Sequence, residues 1–478
     1  MSPKPLLASR RDFLKVSAAS AAVASVAPGA WASGYRSANE RPVCAFIGTG
    51  IRYGQLVHDF LKFGPGAALC DVDSAQLDAA VRQFHSVYEG RGVAAPTPDR
   101  YEDYRRILDR PDIDAVVIAT PDHWHVKIAI EALQAGKDVY SEKPLTHNVG
   151  EGQLMLDALG RSKGVMAVGT QQRSNYQFQT AAALARTERA GKVQRVTCGL
   201  QGAPSSDSLP KCAPPSGMNW NRWLGPAPWA DFRSASELPQ GGYGSEFPYS
   251  RGHAHFRWWY EYAGGKLTDW GAHHVDIALW GLGKSDASMG RFTIDPKRVD
   301  HPVEFKDGYP VDETRLNTAT GFDLNVKFED GVELDIVDRS ERLDFDNGIM
   351  FECEKGRFFV NRGKLKGKPV EELEGEPLPD SAFGDLYNGL TREQAEKNGL
   401  ADGVNHVRNF IDCVKSRQTP ISDVASHHRH LTVCHVANIA MRLGRKVTFD
   451  PASERFVNDE QADGLLSREP RKGFEFAT

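Results

Sequence analysis

Three sets of residues in this chain have the types and spacing to do chemistry. The first is Gly48-Thr49-Gly50-Ile51-Arg52-Tyr53-Gly54, directly after the apolar run 43–47. Glycines at such a point permit a tight turn and let backbone amides approach a pyrophosphate at a helix N-terminus. Here the third glycine comes one place late, as GxGxxxG. Asp71 closes the next apolar run about 20 residues after Gly50, where an acid holds ribose hydroxyls. The same charge repels a 2′-phosphate, so the pair predicts NAD rather than NADP. The second set is Lys143, in Glu142-Lys143-Pro144 at the end of another apolar run. If that run is a parallel strand, its carboxyl end borders the crevice where ligands of such sheets bind. The third is Asp269 and His273, four apart, which share a face if the segment is helical. A histidine beside a carboxylate is an acid/base pair. Taken singly, Lys143 also reads as a surface cation and Asp269 as a helix N-cap.

The elements that must position these residues follow from the pattern. Strands are predicted at 43–47, 67–70, 114–119 and 137–141, and helices at 53–63, 76–84, 101–108, 126–135 and 150–160. Strands that are continuous apolar runs alternating with helices indicate a doubly wound parallel sheet. From residue 193 the texture changes. A Pro/Gly/Ser/Trp-rich stretch occupies 202–255, and alternating segments at 320–328, 332–337 and 348–360 predict antiparallel strands. Helices at 404–416 and 425–443 are expected to close this part. The expectation is an α/β fold: a Rossmann domain over 41–167, an α+β domain with a largely antiparallel sheet over 168–450, and a tail from 451.

With these motifs in view, the chain resembles the glucose–fructose oxidoreductase/inositol dehydrogenase/MocA (Gfo/Idh/MocA) family. The resemblance rests on Asp122-His123-Trp124-His125, on Glu142-Lys143-Pro144 and on the run 264–273 (GGKLTDWGAH), and it extends to NHVRNFIDCVKSR at 405–417. It implies a sugar, glycoside or polyol oxidoreductase with Lys143, Asp269 and His273 as the catalytic trio. It also implies a cofactor shell of Gly48, Gly50, Ile51, Arg52, Gly54, Asp71, Thr120, Pro121, His123, Trp124, His125, Glu142, Lys143 and Gln171. Arg173, Arg257 and His274 are then expected at the substrate. Some relatives, those like glycoside hydrolase family 109, use a tightly bound NAD to oxidise, eliminate and reduce back, with no net redox change. That outcome stays open beside net oxidation, and a non-catalytic sugar-binding protein is the third reading. The resemblance also implies a homo-oligomer.

Composition narrows the class. The net charge of −5 argues against a nucleic-acid partner. Ser9-Arg10-Arg11-Asp12-Phe13-Leu14-Lys15, an alanine-rich apolar stretch and Ala30-Trp31-Ala32 form a twin-arginine export signal over 1–32. That stretch is too short and too Ala/Ser-rich for a membrane span, so the mature protein is expected to be periplasmic or secreted and free of the membrane. The seven cysteines show no CxxC spacing and several lie in apolar runs, where they act as small hydrophobes. The histidine groups 253/255, 273/274 and 427/428/430 form no complete ligand set, so no metal is expected. The last group reads as a solvated helix start. The aromatic segment 249–262 (YSRGHAHFRWWYEY) suits either sugar stacking or a packed domain interface.

Overall fold

In the computed structural model, the described residues are 41–286, 289–384, 386 and 404–477; the segment 1–32, expected as an export signal, lies outside them. Residues 42–477 form one unit containing two large sheets. The first comprises β1 (Cys44–Ile47), β2 (Gly66–Cys70), β3 (Asp99–Tyr101), β4 (Ala115–Ile118), β5 (Asp138–Glu142) and β6 (Met166–Gly169). All pair in parallel, in the order 3-2-1-4-5-6. That order reverses between β1 and β4, which opens a crevice at their carboxyl ends. Every residue of β1, β4, β5 and β6 is buried, as the apolar runs require.

Helices cover both faces. α1 (Ile51–Phe63) and α2 (Ser74–Glu89) bury Val57, Phe60 and Phe84 on one side, and α3 (His125–Gln134) and α4 (Val149–Arg161) pack on the other. The segment expected as a helix over 101–108 divides instead into β3 and a short helix, Arg105–Leu108. The edge strand is exposed, so it lacks the apolar run that announces its neighbours.

The second sheet has nine strands, in the order β15-β14-β13-β7-β12-β11-β8-β16-β17. These are β7 (Val193–Leu200), β8 (Phe292–Asp300), β11 (Gly321–Phe328), β12 (Glu333–Val337), β13 (Asn347–Cys353), β14 (Gly356–Val360), β15 (Leu365–Lys366), β16 (Val447–Asp450) and β17 (Arg455–Phe456). A separate ribbon pairs β9 (Phe305–Lys306) with β10 (Tyr309–Pro310). The sheet is mixed and mostly antiparallel, because β12 runs parallel to β7. Alternation reports which face of a strand is buried and carries no information on its direction, so this pairing is invisible to periodicity. α5 (Tyr176–Arg186), α6 (Gly265–Asp269), α7 (Gly271–Gly281) and α9 (Val424–Leu443) fill the space behind the sheet. α8 (Val404–Ser416), expected to close this part, packs instead on the first sheet, where Phe410 meets Phe60 and Tyr140 edge-on.

Candidate active site

A cavity of about 1030 Å³ opens where the carboxyl ends of β1, β2, β4 and β5 face α6, α7 and the loop 239–258. At one end lies the glycine turn. Gly48 has φ +85°, and a Cβ there would stand 2.6 Å from the Thr120 backbone nitrogen, so only glycine fits. A Cβ on Gly50 would meet nothing within 4 Å, and no side chain caps α1. Open space above the uncapped N-terminus of α1 is what a pyrophosphate needs. Asp71 stands at the end of β2. Its Oδ2 accepts from the Thr49 amide (2.7 Å) and hydroxyl (3.0 Å), and its Oδ1 from the Asp73 amide (3.0 Å). Burial raises its carboxyl, and these bonds oppose the rise. These residues fit a dinucleotide with free ribose hydroxyls.

At the other end, Lys143 leaves β5 and meets Asp269 at the end of α6. Lys143 Nζ lies 2.5 Å from Asp269 Oδ1 and donates to the Asp269 carbonyl at 3.1 Å. Burial alone would raise the Asp269 carboxyl; Lys143, Arg257 and Lys266 together override it and bring it to about 2. His273, in the first turn of α7, is buried, and its Nδ1 has no hydrogen-bond partner among the described residues. Burial, with Lys143 and Arg362 nearby, holds its imidazole well below the usual histidine range, so the ring is neutral at physiological pH. Asp269 and His273 belong to two helices that meet at Trp270, and both line the cavity. Between the two ends, Glu142 Oε1 pairs with Arg52 Nε at 2.8 Å and accepts from Gln171 Nε2 at 2.9 Å. Ile51, Thr120, Pro121, Trp124 and Arg257 also line the cavity.

Five expected contact residues lie outside the cavity lining. Gly54 receives the Gln83 side chain on its carbonyl and serves the packing of α1 on α2. The His123 ring lies between Trp223 and Tyr262, with Nε2 3.1 Å from the Trp223 carbonyl. His125 braces the loops that hold the site, its nitrogens 2.7 Å from the Pro144 carbonyl and 2.9 Å from that of Thr120. Arg173 is 1% exposed and grips Asp276 through two nitrogens, at 2.7 and 2.5 Å, so it is closed to a substrate. His274 is fully buried between Gln172 and Asn347. The triplet His427, His428 and His430 is likewise buried, not solvated: His430 Nδ1 meets Asp276 and His428 Nε2 meets Glu454, each at 2.8 Å.

The aromatic segment divides between core and cavity wall. Arg251, Trp259 and Tyr262 are core, whereas Tyr249, Phe256, Arg257 and Trp258 face the cavity. Sequence reasoning missed Lys266, Arg362, Tyr243 and Phe474 as lining residues. Lys266 lies inside the quoted run 264–273 and was within reach. Arg362, on the β14–β15 turn, and Phe474, near the chain end, carry no local signal.

Residues 43–170 match the oxidoreductase family with an NAD-binding Rossmann fold, and residues 204–306 and 349–476 match that family's C-terminal alpha/beta domain. The alpha-N-acetylgalactosaminidase of Shewanella oneidensis is 36% identical over 120 residues, covering 25% of this chain and 26% of that protein. The matched stretch thus spans about a quarter of this curated relative. Among solved structures, the WlbA dehydrogenase of Chromobacterium violaceum, in complex with NADH and UDP-GlcNAcA, superposes with a TM-score of 0.57 at 18% identity, covering 86% of this chain and 96% of that one. The aldose-aldose oxidoreductase of Caulobacter crescentus, complexed with glycerol, gives 0.54 at 17%, covering 85% and 99%. At such identities the likeness is one of fold.

Proposed function

This chain belongs to the Gfo/Idh/MocA oxidoreductase family, whose first domain binds NAD, and on that premise we propose an NAD-dependent oxidoreductase acting on a hydroxyl of a sugar, glycoside or polyol. One observation carries the reading: the Lys143–Asp269 pair and His273 share one cavity with the glycine turn and Asp71.

NAD, when bound, supplies the acceptor for the two electrons and the carbon-bound hydrogen of the oxidised alcohol. Gly48 and Gly50 would leave room for its pyrophosphate, and Asp71 would hold its ribose. Glu142, held by Arg52 and Gln171, shapes the middle of the cavity. Lys143 donates to the substrate hydroxyl oxygen, and Asp269 fixes the direction of that ammonium. His273, unprotonated, accepts the hydroxyl proton. Loss of one such proton-handling group costs about 10² to 10⁴ in rate.

The test is Lys143→Met in the purified, NAD-loaded protein. It should retain bound cofactor yet fail to reduce it when sugars are added, followed at the nicotinamide absorbance band. Turnover at the wild-type rate would overturn the assignment.

The galactosaminidase relative favours a second reading, redox-neutral glycoside cleavage. Net oxidation accumulates reduced cofactor, whereas cleavage gives a transient with sugar and aglycone released in equal amounts. A sugar-binding protein without activity would show neither.

We propose further that residues 1–32 direct twin-arginine export to the periplasm or beyond. The Arg10-Arg11 pair and the Ala30-Trp31-Ala32 cleavage pattern support it. Self-association through the nine-stranded sheet completes the proposal; sedimentation velocity of the purified protein tests it, a monomer counting against it.

A further inference from the structure

The cations that line the cavity divide into two kinds. Four are paired with carboxylates: Arg52 with Glu142 (2.8 Å), Lys143 with Asp269 (2.5 Å), Arg105 with Glu131 (3.3 Å) and Arg222 with Asp103 (3.0 Å). Three are not. Arg257, Lys266 and Arg362 make no ion pair among the described residues; Arg257 donates to the Ala254 carbonyl at 3.0 Å, and each of the three lies over an aromatic face. The Arg257 guanidinium is 4.7 Å from the Tyr243 and Phe256 ring centres, Lys266 Nζ is 5.6 Å from that of Trp258, and the Arg362 guanidinium is 4.7 Å from that of Trp270. All belong to the Lys143–Asp269–His273 end of the cavity, since Arg257 and Lys266 act on Asp269 and Arg362 acts on His273.

From this we infer that the substrate is a sugar bearing an anionic group, a carboxylate or a phosphate, received by Arg257, Lys266 and Arg362. The inference rests on the oxidoreductase reading of the same site and adds the charge of its substrate.

Unpaired cations in a partly buried cavity are costly unless a ligand neutralises them. Burial lowers the Lys266 ammonium, with Lys143 adding like charge, and burial lowers the Arg362 guanidinium, with Arg52 doing the same. The carboxylates that act on the three cations do not satisfy them. Asp269 and Glu142 are engaged by Lys143 and Arg52, and Asp122 and Asp346 act without a hydrogen bond to any of the three. Nor is the cofactor the missing anion. Its pyrophosphate belongs at the uncapped N-terminus of α1, and the cation nearest that turn, Arg52, already has Glu142. Tyr243, which lines the same cavity and is 53% exposed, leaves aromatic surface beside these cations for a pyranose. Arg257 and Arg362 carry the forked donors that suit carboxylate or phosphate oxygens.

The experiment is calorimetric titration of the NAD-loaded full chain with three matched pairs: D-glucuronate against its methyl ester, D-galacturonate against its methyl ester, and D-glucose 6-phosphate against D-glucose. At least one anion should bind about tenfold or more tighter than its neutral partner, the effect of one charge-assisted contact. Whether a uronate or the phosphate wins identifies the anionic group. In Lys266→Met/Arg362→Gln, with retained NAD as the control for folding, that preference should shrink by about tenfold. No preference in any pair, or a preference unchanged in the double variant, overturns the proposal. Lys143-dependent cofactor reduction by a neutral sugar, without anion preference, would leave the oxidoreductase reading standing and this one refuted. Anion preference without cofactor reduction by any sugar would do the reverse.

Discussion

Asp71 does two things at once: it accepts from the Thr49 amide and hydroxyl, and it presents a carboxylate where a ribose would lie. Asp71→Ala should therefore weaken NAD and narrow its advantage over NADP, because the ribose acceptor and the like-charge barrier vanish together. Equilibrium dialysis against both nucleotides reads it, and an unchanged ratio would show that Asp71 does not set the choice. Asp122, in the turn before α3, is buried, and burial pushes its carboxyl up to about 7, with Arg257 and Lys143 opposing and Asp269 adding to the rise. Between roughly pH 4 and 7 the folded state thus holds a proton that the unfolded state has released, so this residue's contribution falls as pH rises through that window. Asp122→Asn should leave stability at pH 4 close to wild type and raise it at pH 8 by on the order of a few kcal/mol. Urea melts at the two pH values decide it, and equal effects at both would remove Asp122 as the titrating group.

At the scale of elements, the site depends on how α7 is held, since α7 carries His273 while Lys143 comes from β5. The clamp is Asp276, on α7, buried against Arg173 from the 3-10 turn after β6 and His430 from α9. Burial would raise the Asp276 carboxyl, but Arg173 and the two histidines His427 and His430 hold it well below the carboxylate range. Arg173→Met leaves that buried charge with only the two histidines in place of its guanidinium, a loss of about 3–5 kcal/mol. Arg173→Met/Asp276→Leu should recover much of it, because the cost lies in the orphaned charge more than in the missing pair. Additive losses in denaturant unfolding would contradict this account. In the turn before α1, Gly48→Ala forces a Cβ to within 2.6 Å of the Thr120 nitrogen. It should therefore abolish NAD retention in gel filtration, and full retention would show that the turn can shift.

Across the whole molecule, residues 471–475 touch both domains, at Gly225 in the second and at Trp124 and Lys127 in the first. Arg471 donates to the Gly225 carbonyl (2.9 Å), Phe474 packs edge-on against Trp124, Lys127 Nζ donates to the Glu475 carbonyl, and Gly473 and Phe474 reach the cavity. Deleting residues 469–478 should lower the melting temperature and speed NAD release, since Trp124 loses its cover. A truncated protein that releases NAD at the wild-type rate would show that the tail is only a fastening. Export is tested at the same scale: Arg10→Lys with Arg11→Lys should hold the precursor in the cytoplasm, and undiminished export would refute the signal.

By itself, the sequence determined the parallel sheet, the glycine turn with Asp71, and Lys143 at the end of a strand; that Asp269 and His273 join Lys143 was implied only by the family resemblance. The first three are local signals: apolar runs mark doubly covered strands, glycines mark turns, and the ends of strands mark the crevice. Tertiary structure decided what sequence distance hides. It turned Arg173, His274 and the histidines of α9 inward, because each has a charged or hydrogen-bonding partner supplied by a remote element. It set β12 parallel to β7, since strand direction leaves no trace in alternation. It also brought Lys266, Arg362 and Phe474 to one cavity from three parts of the chain, a convergence that depends on packing across two sheets and on no periodicity along either.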